Sequence, residues 1–146
     1  MDFDIIAKIM TRAMEQHARK LGVSGVIVVT HLAPDGMSWK SVMKAVEKIK
    51  VTADNKEKNP KYPGYNFIGI AYSKAAEMAD TLQNSGTKTR PSYQGEFGYG
   101  GGLIAQSQAG SILSVFSGST EELDTEIAQI GIDAFFASGN FFISSK

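Results

Sequence analysis

The chain has 146 residues, with fifteen Lys and Arg against fifteen Asp and Glu, so no global field draws it onto nucleic acid or a membrane surface. It has no cysteine, which excludes disulfides, thiolate nucleophiles and Cys-held zinc or iron–sulfur centres. This length predicts one domain, residues 1–146, with a real core; no apolar run is long enough to span a bilayer, and Asp2 and Asp4 stand where a secretion signal would be basic, so the expected location is cytoplasmic.

Asp2 or Asp4 is placed to cap a first helix running to about Lys20. Ile6, Met10, Ala13, Met14, His17 and Leu21 recur at three- and four-residue steps and share one face. Gly22 is the expected left-handed stop. Residues 23–30 (VSGVIVVT) read as a strand, turned by Pro34-Asp35-Gly36. The arm that follows is ambiguous. Trp39, Val42, Val46 and Ile49 fit a helical step, while Met37, Trp39, Met43 and Ala45 partly alternate, and the pattern alone leans helical. Residues 51–66 are polar, carry Pro60, Pro63 and Gly64, and read as a loop. Residues 40–61 hold seven Lys against three acids. That is either an anion-contacting patch or a solvated edge that discourages sheet stacking.

Asn66 caps a second predicted helix, residues 67–83, with Ile68, Ala71, Tyr72, Ala75, Met78, Ala79 and Leu82 on its buried face. Residues 87–96 read as a loop. Gly98, Gly100, Gly101 and Gly102 lead into a strand over 103–107, Gln108-Ala109-Gly110 turns it, and 112–116 return. Ser119 with Glu122 fits a capping box that starts a third helix near Thr120, and Glu121, Glu122 and Asp124 suit its positive end. Beyond Phe135 come Phe136, Phe141, Phe142 and Ile143. Such aromatic side chains gain much from burial, either in the chain's own sheet or across to another subunit. Two or three helices packed on about five mainly antiparallel strands make an α+β fold.

Gly101-Gly102 before a hairpin, Ser117-Gly118 closing its second strand, and Asp124-x-x-Ile127-Ala128-x-x-Gly131 on a helix together resemble the GlcG/HbpS-like family. Ala71-x-x-Lys74-Ala75 and Leu21-Gly22-Val23 extend the resemblance, which covers about Ile6 to Phe135. The family is often described as haem-degrading, and its domain also forms the C-terminal part of PduO-type proteins. The resemblance implies a profilin-like layered domain, a strand over 37–46, a homo-oligomer, and a tetrapyrrole such as haem as ligand. Lys74 matches the family lysine; it would pair with a ligand carboxylate or remain a solvated helix lysine. Two departures stand out. The family strand typically reads GAIGVSG where this chain has ILSVFSG, so Ile112 and Val115 replace glycines and any cavity against that strand should be smaller. The family's Asp at the end of the first strand is Thr30 here.

Candidate chemistry is sparse. Gly100-x-Gly102-x-x-Ala105 imitates a dinucleotide fingerprint but opens a strand instead of a helix, which rules it out. The glycines either permit an unusual backbone path or let a flat ligand lie against the backbone. His17 and His31 are the only histidines and lack metal-motif neighbours, so a zinc site is not expected. His17 is either a half-buried helix residue or an axial iron ligand. Tyr62, Tyr65, Tyr72, Tyr93 and Tyr99 cluster near loops, and tyrosine can ligate haem iron or stack on a tetrapyrrole. Three readings follow. The first is a haem-binding oligomer using His17, Lys74, Tyr99, Gly100, Gly101 and Gly102, with His17 ranked first as metal ligand. The second is an accessory protein docking a partner. The third is an enzyme acting on a small anionic metabolite at residues 98–102 and Lys74.

Overall fold

The computed structural model describes residues 2–52 and 63–138. Asp2 accepts the N–H groups of Asp4 and Ile5 and so starts α1, Phe3–Leu21. Gly22, at φ 70°, stops it. Then come β1 (Gly25–Leu32), β2 (Trp39–Val46), β3 (Lys50–Thr52), β4 (Gly64–Asn66) and α2 (Phe67–Thr81). Then follow β5 (Gly102–Ser107), β6 (Gly110–Ser117) and α3 (Glu121–Ala137). Among the described residues β2-β1-β6-β5 form a four-stranded sheet whose neighbours are all antiparallel, and β3-β4 form a separate two-stranded ribbon. The fold is α+β, as the order of elements implied.

Strand alternation builds two cores. Ile27 and Val29 of β1, with Ile112 and Phe116 of β6, pack against α1 and α3. Val26 and Val28, with Leu113 and Val115, pack against Ala71, Ala75 and Met78 of α2. The sheet is therefore a middle layer with α2 on one face and α1 and α3 on the other. Ile112 and Val115 are fully buried and fill these cores. Gly131 lets α3 approach α1 closely: a Cβ there would sit 2.6 Å from Met14 Sδ.

Residues 39–46 are a strand, as the resemblance implied against the helical lean of the pattern, because β1 offers a full antiparallel ladder from Gly25↔Val46 to Leu32↔Trp39. Several other expectations are corrected. The loop read over 51–66 is paired at both ends, Lys50↔Asn66 to Thr52↔Gly64; Lys56, Lys58, Lys61 and Tyr62 lie outside the described residues. Helix α2 buries Ile70, Ala71, Lys74, Ala75 and Met78, while Leu82 is a left-handed C-cap and exposed. The third helix is capped by Thr120, whose Oγ1 accepts the Leu123 N–H. The Ser119 N–H donates to Asp124 Oδ1 instead of to Glu122, so the proposed capping box is not formed. Phe135 is a fully buried helical residue of α3 and Phe136 is partly exposed; Phe141, Phe142 and Ile143 lie outside the described residues. Among the described residues no helix is long and apolar enough to cross a membrane.

Candidate functional site

A pocket of about 510 Å³ opens where β6 ends and α3 begins. The β3–β4 ribbon supplies Val51 and Tyr65 to its wall, and the first turns of α2 supply Phe67 and Ile70. Tyr65 and Phe67 stack with ring centroids 6.1 Å apart. Residues Ser117 to Glu121 form one rim, Tyr99 and Gly100 another, and Lys74 and Asp124 lie at the base.

The base is tightly organised. Lys74 Nζ donates to the Phe116 carbonyl at 2.7 Å and to Asp124 Oδ2 at 3.1 Å. The two side chains are only 2% and 5% exposed. Asp124 is itself clamped: its Oδ1 accepts the Ser119 N–H at 3.0 Å, and the neighbouring Gly118 N–H also favours its charged form. Burial pushes the Lys74 ammonium pKa down, and the Asp124 carboxylate beside it opposes that. Burial pushes the Asp124 carboxyl up, and Lys74 opposes that in turn. Lys74 is thus neither solvated nor waiting for a counter-ion.

Gly101 has φ 112°, and a Cβ there would fall 2.5 Å from Lys74 Nζ, so its bareness makes room for the lysine head. Gly100 lies against the Glu121 side chain, with a virtual Cβ 2.6 Å from Cγ. Gly102 is further in: its N–H donates to Ser85 Oγ at 2.9 Å, and it packs on Met78. Tyr99 is half-exposed and stacks on Phe97 at 5.4 Å.

The loop that carries Tyr99 is held by Arg90, which the sequence reading passed over. Its guanidinium donates to Asp80 Oδ2, to both carboxylate oxygens of Glu96 and to the Pro91 carbonyl, all within 2.8–3.0 Å. Tyr93 covers it at 3.7 Å. Glu77 Oε2 accepts the Gly86 N–H from below.

Lys74, Tyr99, Gly100 and Gly101 therefore converge on one place. His17 does not join them. It sits on the α1–α3 seam, partly exposed, with Nε2 2.7 Å from Glu126 Oε2. His31 Nε2 bonds the Ala109 carbonyl at the β5–β6 turn. Tyr72 bonds Ser41 across the α2–β2 contact. Among the described residues no cluster of three His, Asp or Glu side chains could hold a metal ion. Asp124 was legible as a helix-start acid and as part of the family motif, but not as the partner of Lys74, which lies fifty positions away.

No protein-family model matches the chain, and no curated protein matches it in sequence. Solved structures do. Klebsiella pneumoniae protein ORFY, of family DUF336, superposes with a TM-score of 0.65 at 20% identity, over 91% of this chain and 89% of that one. The chain has the fold of a DUF336, GlcG-like domain. PduOC, solved as a complex with haem, superposes with a TM-score of 0.60 at 18% identity, over 92% of this chain and 94% of that one.

Proposed function

We propose that this protein binds a tetrapyrrole, haem, in the pocket bounded by Tyr65, Phe67 and Tyr99. The observation that carries the reading is the pocket itself. Its volume lies within the range of small-molecule sites, and its walls are apolar and aromatic with a few convergent polar groups. Tyr65 and Phe67 offer ring faces for stacking, and the Tyr99 phenol is an oxygen donor of a type that haem iron accepts. Lys48, whose Nζ lies 5.4 Å from the centre of the Phe67 ring, is a half-buried cation on the ribbon side for a ligand carboxylate. Lys74 is already committed to Asp124 and does not serve there. Bound haem would supply redox chemistry; the chain would supply the stacking faces, a phenol oxygen donor from Tyr99 and a counter-charge. The fold shared with PduOC, solved with haem, supports the same ligand class.

The test is a haem titration followed by visible spectroscopy. Saturable binding is expected, with a Soret band that shifts in Tyr99→Phe and holds in His17→Ala. The reverse pattern would move the site to the α1–α3 seam and restore His17 as the iron ligand. No binding by the wild type at micromolar haem overturns the reading. The proposal includes a homo-oligomer, supported by Ile5 and Ile9 of α1 and Phe136 of α3, all solvent-exposed on the same side of the sheet. Light scattering is expected to give a mass above the 15.7 kDa of one chain.

A further inference from the structure

The haem-binding reading leaves the best-organised group in the pocket unused. Lys74 and Asp124 lie at its base, almost wholly buried. A buried ion pair is weak evidence for stability, because desolvation offsets the attraction. Here the pair also has the layout of an activated nucleophile: an amine, a carboxylate base within hydrogen-bond reach, and a third element that fixes the base. That third element is the Ser119 N–H, with the Gly118 N–H beside it.

We propose that Lys74 is an amine nucleophile, with Asp124 as its proton acceptor and donor, that forms an imine with a carbonyl compound in this pocket. Asp124 takes a proton from the Lys74 ammonium. The freed Nζ lone pair attacks the carbonyl carbon, the C=O π pair moves to oxygen, and the now cationic nitrogen passes one of its protons to that oxygen, giving a neutral carbinolamine. Asp124 returns its proton to the carbinolamine hydroxyl, water leaves, and the nitrogen lone pair closes C=N. The sum is an ammonium and a carbonyl giving an iminium and one water, with Asp124 ionised beside the iminium at the end. Burial favours the neutral amine that the attack needs, since desolvation is the largest influence on Lys74.

The charge at the base selects the substrate. Glu121 and Asp124 both line the base of the pocket beside Lys74, the one cation among its described lining residues, and Glu121 acts on Lys74 through space. A carboxylate next to the reacting carbonyl would meet two acids. The walls are Val51, Tyr65, Phe67 and Ile70. The substrate class is therefore a neutral aldehyde or ketone with an apolar or aromatic body, and not a 2-oxo acid.

This inference shares the pocket with the haem reading but does not depend on it. The experiment uses haem-free wild-type protein, benzaldehyde and cyanoborohydride, with peptide mass spectrometry to locate the reduced adduct. Lys74 is expected to be labelled at neutral pH well ahead of the exposed Lys8 and Lys40, and pyruvate is expected to label it more slowly than benzaldehyde. Asp124→Asn, checked for folding by circular dichroism, should slow labelling at Lys74 by about a hundredfold, the scale of general acid–base help. Should that variant not fold, the wild-type pH profile decides, since Lys74 should reach its labelling plateau at lower pH than Lys8 or Lys40. Labelling confined to exposed lysines overturns the proposal, as does an unchanged rate in folded Asp124→Asn. Faster labelling by pyruvate overturns the substrate class. Haem binding without Lys74 labelling sinks this inference alone; labelling without haem binding sinks the haem reading alone.

Discussion

Lys74 of α2 and Asp124 of α3 meet 3.1 Å apart at the end of β6, and the same ammonium holds the Phe116 carbonyl. One side chain thus ties together the two layers that flank the sheet. Asp124→Leu leaves a buried ammonium without its counter-ion, and breaking such a pair costs about 3–5 kcal/mol. Replacing both partners with apolar residues, Lys74→Met with Asp124→Leu, removes the stranded charge and should cost much less than the sum of the single changes. Urea denaturation of the four proteins checks this. Additive losses would mean that the two side chains do not act as a pair.

Gly101 is the second fixed point. Its φ of 112° is one that L side chains rarely adopt, and an added Cβ would press on both Lys74 Nζ and Asp124 Cβ. Strained backbone of this kind costs about 1–3 kcal/mol, and here the steric conflict adds to it. Gly101→Ala is expected to lower the melting temperature more than Gly95→Ala, where φ is also positive but nothing lies within 4 Å. Equal losses at the two positions would reduce the role of Gly101 to its backbone angle.

Much of the fold is readable from local signals. Asp2, Gly22 and Asn66 act through hydrogen bonds or backbone angles confined to a few neighbouring residues, so the sequence shows them directly. The hairpin at Gln108-Ala109 is equally local, with Ser107 paired to Gly110. Strand β2 is misleading for a physical reason. It is an outer strand with apolar side chains on both faces: Trp39 meets Tyr72 of α2, while Val42 and Val46 join the α1–α3 core. Taken together, these positions imitate a three- and four-residue helical step. The site is harder still to read. Nothing near Lys74 in sequence announces Asp124, and a helix lysine is solvated by default. The glycine run was legible as special, but the lysine head that needs Gly101 was not.

The start of α3 distinguishes two adjacent hydroxyls. Thr120 Oγ1 accepts the Leu123 N–H at 3.2 Å, and the Asp124 N–H reaches the Thr120 carbonyl at 2.8 Å. Ser119 contributes its backbone N–H to Asp124, which any residue but proline could do. Thr120→Ala should therefore cost about 1 kcal/mol, the usual loss for an N-cap. Ser119→Ala should cost clearly less. Chemical denaturation of the two variants side by side tests the assignment, and a larger loss at Ser119 would return the cap to that residue.

The Arg90 network makes the Tyr99 loop sensitive to acid. The Glu96 carboxyl is held below the ordinary glutamate range, first by the Arg90 guanidinium and then by the Tyr93 N–H. A carboxyl depressed in the folded state contributes stability above its unfolded pKa, roughly 4.3 for glutamate, and loses it as pH falls through the lower folded value. The segment 87–99 should then hold its protection at pH 5 and lose it toward pH 3, ahead of the β1–β6 core. Hydrogen exchange corrected for intrinsic rates reads this directly. Arg90→Lys keeps the charge but loses the planar fork that binds Asp80 and Glu96 together, so its loop should exchange quickly even at pH 5. Because Tyr99 rides at the end of this loop and lines the pocket, the same variant should weaken haem binding while leaving the core intact. A loop that opens in Arg90→Lys with haem affinity unchanged would remove Tyr99 from the binding site.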